Sequence, residues 1–318
     1  MNAPHSCTRR SFIVTTSLAA VGATISGLPA EATSPKMKTC LSPGSIGVNA
    51  SQDQAIELAA KFDFDAVEPF AQHLANLTAA QMDELRARLE AKNLVWGAAG
   101  LPVEFRRDDA AFRASLDKLP ALAAGLQRAG VTRVGTWLTP SSGTLTYLQN
   151  FRRHVERLRA VARVLADHGQ RLGLEYVGTF TSRANARFPF VHNLAETREL
   201  IAEIGTGNVG VVLDSWHWWQ ADDTEADLLS LTTADVVSVD LNDAPAGVPK
   251  REQQDGRREL PSATGVIDVT VFLRALQRIG YDGPVRAEPF NKVLNDLDNE
   301  AACAATIAAL RKALAPVA

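Results

Sequence analysis

VGVVLDSWHWW, residues 209–219, runs through apolar and glycine positions into Asp214 and then into an aromatic cluster. An apolar run of this length without polar alternation reads as a strand buried on both faces, as in a parallel sheet. Three other stretches repeat the pattern: RLGLEYVG (171–178) with Glu175, VVSVDLNDAP (236–245) with Asp240, and PVRAEPFN (284–291) with Glu288. An ionised carboxylate in an apolar strand is costly unless a positive group meets it. Four of them on successive strands point to convergence on one cation. The alternative is four separate ion pairs with Lys or Arg from facing loops.

Outward from these runs the pattern alternates. Further apolar runs lie at 44–48, 64–68, 94–99 and 132–138, joining those at 171–177, 209–214, 235–240 and 284–288. Helical periodicity separates them at 51–62, 78–92, 109–129, 144–168, 194–204, 223–231, 268–279 and 298–314, and Thr78-Ala-Ala-Gln81 reads as a capping box. Strict alternation implies a parallel α/β sheet. Eight units without a composition break, over residues 33–318, predict a single (β/α)8 barrel, with functional residues at the C-terminal strand ends. A dinucleotide-binding open sheet is disfavoured, because the turn at Leu41–Gly47 has no G-x-G-x-x-G pattern.

The chain has 318 residues, 46% of them hydrophobic and 22% charged, with net charge −3. No general basic field exists to attract nucleic acid or anionic lipid. Three cysteines, Cys7, Cys40 and Cys303, exclude a disulfide framework and a cysteine metal site. Residues 1–32 read as an export signal. Arg9-Arg10-Ser11-Phe12 precedes an apolar, uncharged stretch to Leu28 and a small-x-small site at Ala30-Glu31-Ala32. The paired arginines resemble the twin-arginine signal, which implies a periplasmic protein that folds before export. Cleavage removes Arg9, Arg10 and Glu31, taking the net charge from −3 to −4, and no membrane contact is expected afterwards.

Glu175, Asp214, Asp240 and Glu288 make a hard oxygen-donor set that favours Mn²⁺, then Mg²⁺, with Ca²⁺ a further option. Such an ion polarises a carbonyl and makes an adjacent proton removable. Glu175 and Glu288, with the longer arms, are the candidate bases. His217, three residues past Asp214, is placed to donate to a substrate oxygen, or else packs among Trp216, Trp218 and Trp219. That cluster, Trp216 first, reads as a pocket wall for a sugar ring. Core packing and a contact between copies in a homo-oligomer are its other readings. The long non-periodic stretch 243–264 follows strand seven and reads as a lid, with Lys250, Arg251, Arg257 and Arg258 available to grip substrate or solvated. Glu68 and His73, after strand two, are candidates for the opposite rim.

These residues together resemble the xylose isomerase-like sugar isomerases and epimerases, with the ketose 3-epimerases nearest in motif. The resemblance covers about residues 39–314 and includes Asp-x-x-His at 214–217, Val-Arg-Ala-Glu-Pro-Phe at 285–290, Gly-Val-Ile-Asp at 265–268 and Gly-Tyr-Asp-Gly at 280–283. It implies a divalent metal, a small carbohydrate substrate, proton transfer by Glu175 and Glu288, and substrate binding by His217 and by an arginine near Arg258. One departure stands out: the metal-binding histidine of the family falls at Asp240, with Asn242 or Asp243 as substitutes if the strand shifts. The leading expectation is a metal-dependent isomerase or epimerase working through an enediolate. A lyase or dehydratase acting on a sugar or oxidised glycoside, a metal-dependent nuclease and a non-catalytic sugar-binding barrel rank below it.

Overall fold

A computed structural model describes Met1 and residues 36–317; the expected export signal otherwise lies outside the described residues. Nine parallel strands form one curled sheet: β1 (Lys38–Leu41), β2 (Ala66–Val67), β3 (Val95–Trp96), β4 (Ala99–Gly100), β5 (Arg133–Trp137), β6 (Arg171–Glu175), β7 (Val209–Asp214), β8 (Val236–Leu241) and β9 (Pro284–Ala287). Their hydrogen-bonded order is β3-β2-β1-β9-β8-β7-β6-β5-β4. β3 pairs with β2 and β4 with β5, and only Gly97 and Ala98 separate β3 from β4. Chain continuity at this break therefore closes the ring, and the fold is a single α/β barrel with helices around it.

Each expected helix is present, although the 109–129 stretch divides into Asp109–Leu116 and Leu119–Ala129. Thr78 and Gln81 form the expected capping box, and Thr146 with Gln149 forms another at the head of Tyr147–Asp167. These boxes satisfy amide groups that a helix start leaves unpaired. Among the described residues no helix is long and apolar enough to cross a membrane.

The first strand corrects the sequence reading. It lies at Lys38–Leu41 rather than 44–48, where Gly44–Ile46 instead makes a 3-10 turn. Pro43 takes helical angles, φ −58° and ψ −47°, and Gly47 sits at φ 76°, so the segment between them turns instead of running extended. Cys40 and Leu41 pair with Ala66 and Val67. Cys40 and Cys303 are both buried and free.

A row of glycines makes room inside the barrel. Gly135, Gly173 and Gly210 are register partners across β5, β6 and β7. A Cβ on Gly173 would meet Val212 Cγ2 at 2.7 Å and Val237 Cβ at 2.9 Å. Residues two positions further along a strand share a face, so Glu175 stands directly above this row. Gly135, Val212 and Ser238 line a cavity of about 220 Å³ at the barrel mouth.

Candidate functional site

Long strands bring the acids together. Asp214 ends β7, Glu175 ends β6, Asp240 is the fifth residue of β8, and Glu288 follows β9. Asp240 is the register partner of both Asp214 and Arg286. One oxygen from each of Glu175, Asp214, Asp240 and Glu288 lies within 4.8 Å of the others. Asp214 and Asp240 are fully buried, and Glu175 is 7% exposed. Glu175 and Glu288 also line the cavity.

Two arginines face the four acids. Arg286 grips Asp240 with two bonds, Nε–Oδ1 at 2.6 Å and Nη2–Oδ2 at 2.8 Å, and Nη2 also reaches Glu288 Oε1 at 3.2 Å. Arg258 Nη1 donates to Asp214 Oδ2 at 2.9 Å and lies 3.4 Å from Glu288 Oε2, while Nη2 donates to Asp255 Oδ1 at 2.8 Å. The expectation for Arg258 was a grip on substrate; the structure shows it buried as a counter-charge. Asn242 Nδ2 donates to both oxygens of Asp214, at 3.1 and 2.9 Å, and its Oδ1 accepts from the Glu288 backbone N–H at 3.0 Å. Arg286 and Asp255 were not singled out from sequence, and Asn242 only as a substitute ligand. Arg286 shares a strand face with Glu288, and Asn242 with Asp240, which is the signal that could have found them.

With all four acids ionised, two guanidinium groups leave the cluster with a net charge of −2. Burial raises Glu175 well above the usual carboxylate range, and Glu288, Asp240 and Asp214 raise it further. Burial also pushes Glu288 up to about 7, against the lowering pull of Arg286. Glu175 Oε1 is buried without a hydrogen-bond partner. A buried oxygen without a donor, in a cluster lacking positive charge, fits a divalent cation. Asp240 is the weakest donor of the four, because Arg286 already holds both of its oxygens. His217 offers an additional nitrogen, since Glu175, Asp214 and His217 form a second group at ligand spacing.

His217 is 2% exposed, and burial holds it below the usual imidazole range. Its Nδ1 accepts from the Gly178 N–H at 3.3 Å. A neutral ring then carries its proton on Nε2, which stands 3.7 Å from Glu175 Oε1, 3.8 Å from Asp255 Oδ1 and 3.2 Å from Arg258 Nη2.

Other expected residues fall elsewhere. Trp216 is fully buried, bonds through Nε1 to Thr179 Oγ1 at 2.8 Å, and lies under the Arg258 guanidinium at 5.5 Å. It is not a wall of the cavity; Trp137, 48% exposed, is the aromatic there. Asp243 is not a substitute ligand, because its carboxylate accepts from the backbone N–H groups of Ala244, Thr264, Gly265 and Ile267. Glu68 joins the network from β2 by accepting from Ser42 Oγ, which lies 3.4 Å from Arg286 Nη1. His73, half-buried in Ala71–Ala75, joins none of these bonds among the described residues. The 243–264 loop is tied down rather than loose: Thr179 and Thr181 hold Asp255 and Gln253, and Gln220 holds Lys250.

The xylose isomerase-like TIM barrel description matches residues 56–313. A xylose isomerase domain protein from Alicyclobacillus acidocaldarius is 32% identical, with TM-score 0.77 over 88% of this chain and 99% of that one. The chain is 23% identical to the inosose isomerase of Bacillus velezensis, over 80% of this chain and 89% of that protein. A crystal structure of the IOLI protein with a bound zinc atom is similar at 20% identity, with TM-score 0.73, over 88% of this chain and 98% of that one. By the matched span and the similarity to the Alicyclobacillus protein, this chain belongs to the xylose isomerase-like TIM barrel family.

Proposed function

We propose that the protein is a divalent-metal-dependent isomerase or epimerase of a sugar or related polyol ketone. The observation that carries this reading is the convergence of Glu175, Asp214, Asp240 and Glu288 within 4.8 Å, with Glu175 and Glu288 on the cavity wall. Isomerase chemistry in the inosose isomerase relative agrees with it. Glu175, Asp214, Asp240 and Glu288 would hold the ion. When bound, it supplies positive charge beside a developing oxyanion. We take Mn²⁺ as the resident ion, with Mg²⁺ second, because the donors are mostly carboxylate oxygens.

The chain's own residues divide the remaining work. Glu175 takes a proton from the carbon next to the substrate carbonyl, and Glu288 on the same wall returns one, passing through an enediolate. His217 stands beside this base, its Nε2 3.7 Å from Glu175 Oε1. Arg258 and Arg286 pair with Asp214 and Asp240 and fix their positions. The export motif at Thr8–Ile13 places the reaction in the periplasm under this proposal, and Arg9→Lys with Arg10→Lys then retains the protein in the cytoplasm on fractionation.

The test is deuterium incorporation from D₂O into D-fructose, an inosose, D-fructuronate and D-fructose 6-phosphate, with Mn²⁺, Mg²⁺ or Zn²⁺ added, read by mass spectrometry. Exchange is expected, lowered by about 10²–10⁴ in Glu175→Gln and in Glu288→Gln. Absence of exchange with every metal, or exchange undiminished in both variants, overturns the reading.

A further inference from the structure

The cavity wall that carries Glu175 and Glu288 also carries two arginines, and their states differ. Arg286 is committed to Asp240 and Glu288. Arg106 has no ion pair among the described residues. Its one side-chain hydrogen bond there is Nη2 to Thr136 Oγ1 at 3.1 Å, and its Nε is buried without a partner. The rings of Phe105 and Trp137 lie 4.4 and 3.9 Å from its guanidinium carbon. These contacts hold the cation in place without supplying a counter-charge. Burial pushes its pKa down to about 10, which still leaves it charged at neutrality.

The loop that presents Arg106 is pinned from behind. Buried Arg157, on Tyr147–Asp167, donates to the Phe105 carbonyl at 2.8 Å and the Arg107 carbonyl at 2.6 Å, and pairs with Asp109. Arg106 is therefore preorganised, so little ordering opposes a ligand that meets it. An unpaired guanidinium on a cavity wall presents a planar donor edge suited to a carboxylate or phosphate. The same cavity gathers negative charge at Glu175 and Glu288. Such a polarised space suits a molecule with an anionic end and a reacting carbonyl end.

We propose that Arg106 binds an anionic terminal group, a carboxylate or a phosphate, on the carbohydrate whose carbonyl end meets Glu175 and Glu288. The substrate is then a sugar acid or sugar phosphate rather than a neutral sugar. The volume of about 220 Å³ holds it near the size of a single sugar unit. This rests on the isomerase reading above and narrows it.

A matched set tests it: D-fructose, D-fructuronate and D-fructose 6-phosphate, which differ only at the terminal carbon. Calorimetric titration of the full chain with Mn²⁺ is expected to give at least about tenfold tighter binding for one anion than for D-fructose. The advantage falls as salt rises and shrinks to about twofold or less in Arg106→Met. Arg106→Lys, which keeps the charge without the planar fork, retains part of it and serves where the Met variant does not fold. Whichever anion leads identifies carboxylate or phosphate. Equal binding of all three, or an anion advantage intact in Arg106→Met, overturns the proposal. Deuterium exchange measured in parallel separates the two readings. Arg106-dependent anion binding without exchange removes the isomerase assignment and leaves the anion site. Exchange into D-fructose with the same kcat/KM as into both anions does the reverse.

Discussion

From β5 to β8 the barrel runs in strands of five or six residues, whereas β2, β3 and β4 have two residues each. The long-strand side buries acids against arginines; the short-strand side lines the cavity with Ala98, Ala99 and Gly100 and leads into the Arg106 loop. The difference follows from what each side must hold. Long ladders fix register, so Asp214, Asp240 and Arg286 stand level and their charges meet. Short ladders broken at Gly97–Ala98 release backbone to shape an opening. One side is therefore intolerant of change, and the other accommodates it.

The largest expected effect breaks the ion pairs on the long-strand side. Arg286→Met strands Asp240 and is expected to lower unfolding free energy by about 3–5 kcal/mol in urea titration, with Arg286→Met/Asp240→Leu regaining most of it. A loss under about 1 kcal/mol in the single variant would show that the pair contributes little. Next in size, Gly173→Ala forces a Cβ against Val212 and Val237 and is expected to lose about 1–3 kcal/mol. Its counterpart on the short-strand side, Gly100→Ala, meets nothing within 4 Å and should stay within about 0.5 kcal/mol. Equal losses in the two variants would erase the contrast.

The smallest effect belongs to a partly exposed pair outside both regions. His192 Nδ1 lies 3.1 Å from Glu196 Oε2. The bond to Glu196 raises His192 above its usual 6.5; burial raises Glu196, but the side-chain and backbone bonds from His192, with the charges of His192 and Arg183, together bring it below its usual value. The histidine's contribution is full below pH 6.5 and fades as pH rises through its folded value. The glutamate's is full above pH 4.5 and fades as pH falls through its folded value. Between about pH 4.5 and 6.5 both are present. Glu196→Gln should lower stability by about 0.5 kcal/mol at pH 5.5 and by nothing measurable at pH 9.

The same contrast explains what was readable in the sequence. The acids of β6 to β9 end continuous apolar runs, so their strands and their convergence were visible from spacing. Arg286 was hidden, although it shares a face with Glu288, because an arginine within a strand ordinarily reads as solvent-facing. The first strand was misplaced because Lys38 and Thr39 dilute its apolar signal, while Ser45–Val48 imitates one. Trp216 was read as a wall because an aromatic near an acid looks ligand-facing; only the tertiary structure shows Arg258 lying over it. Trp137 carried no nearby acid in the chain and drew no notice. Asp243 looked like a ligand in Asn-Asp-Ala-Pro, yet its four backbone donors come mainly from residues about twenty positions away.

Arg258 belongs to the 243–264 loop, and its guanidinium is also part of the charge balance around Asp214 and Glu288. On the proposed reading, a divalent cation among the acids would weaken their hold on Arg258, and by reciprocity displacing Arg258 would let those acids bind the cation more strongly. On that reading, such an ion and the loop's arginine would compete for the same oxygens of Asp214 and Glu288.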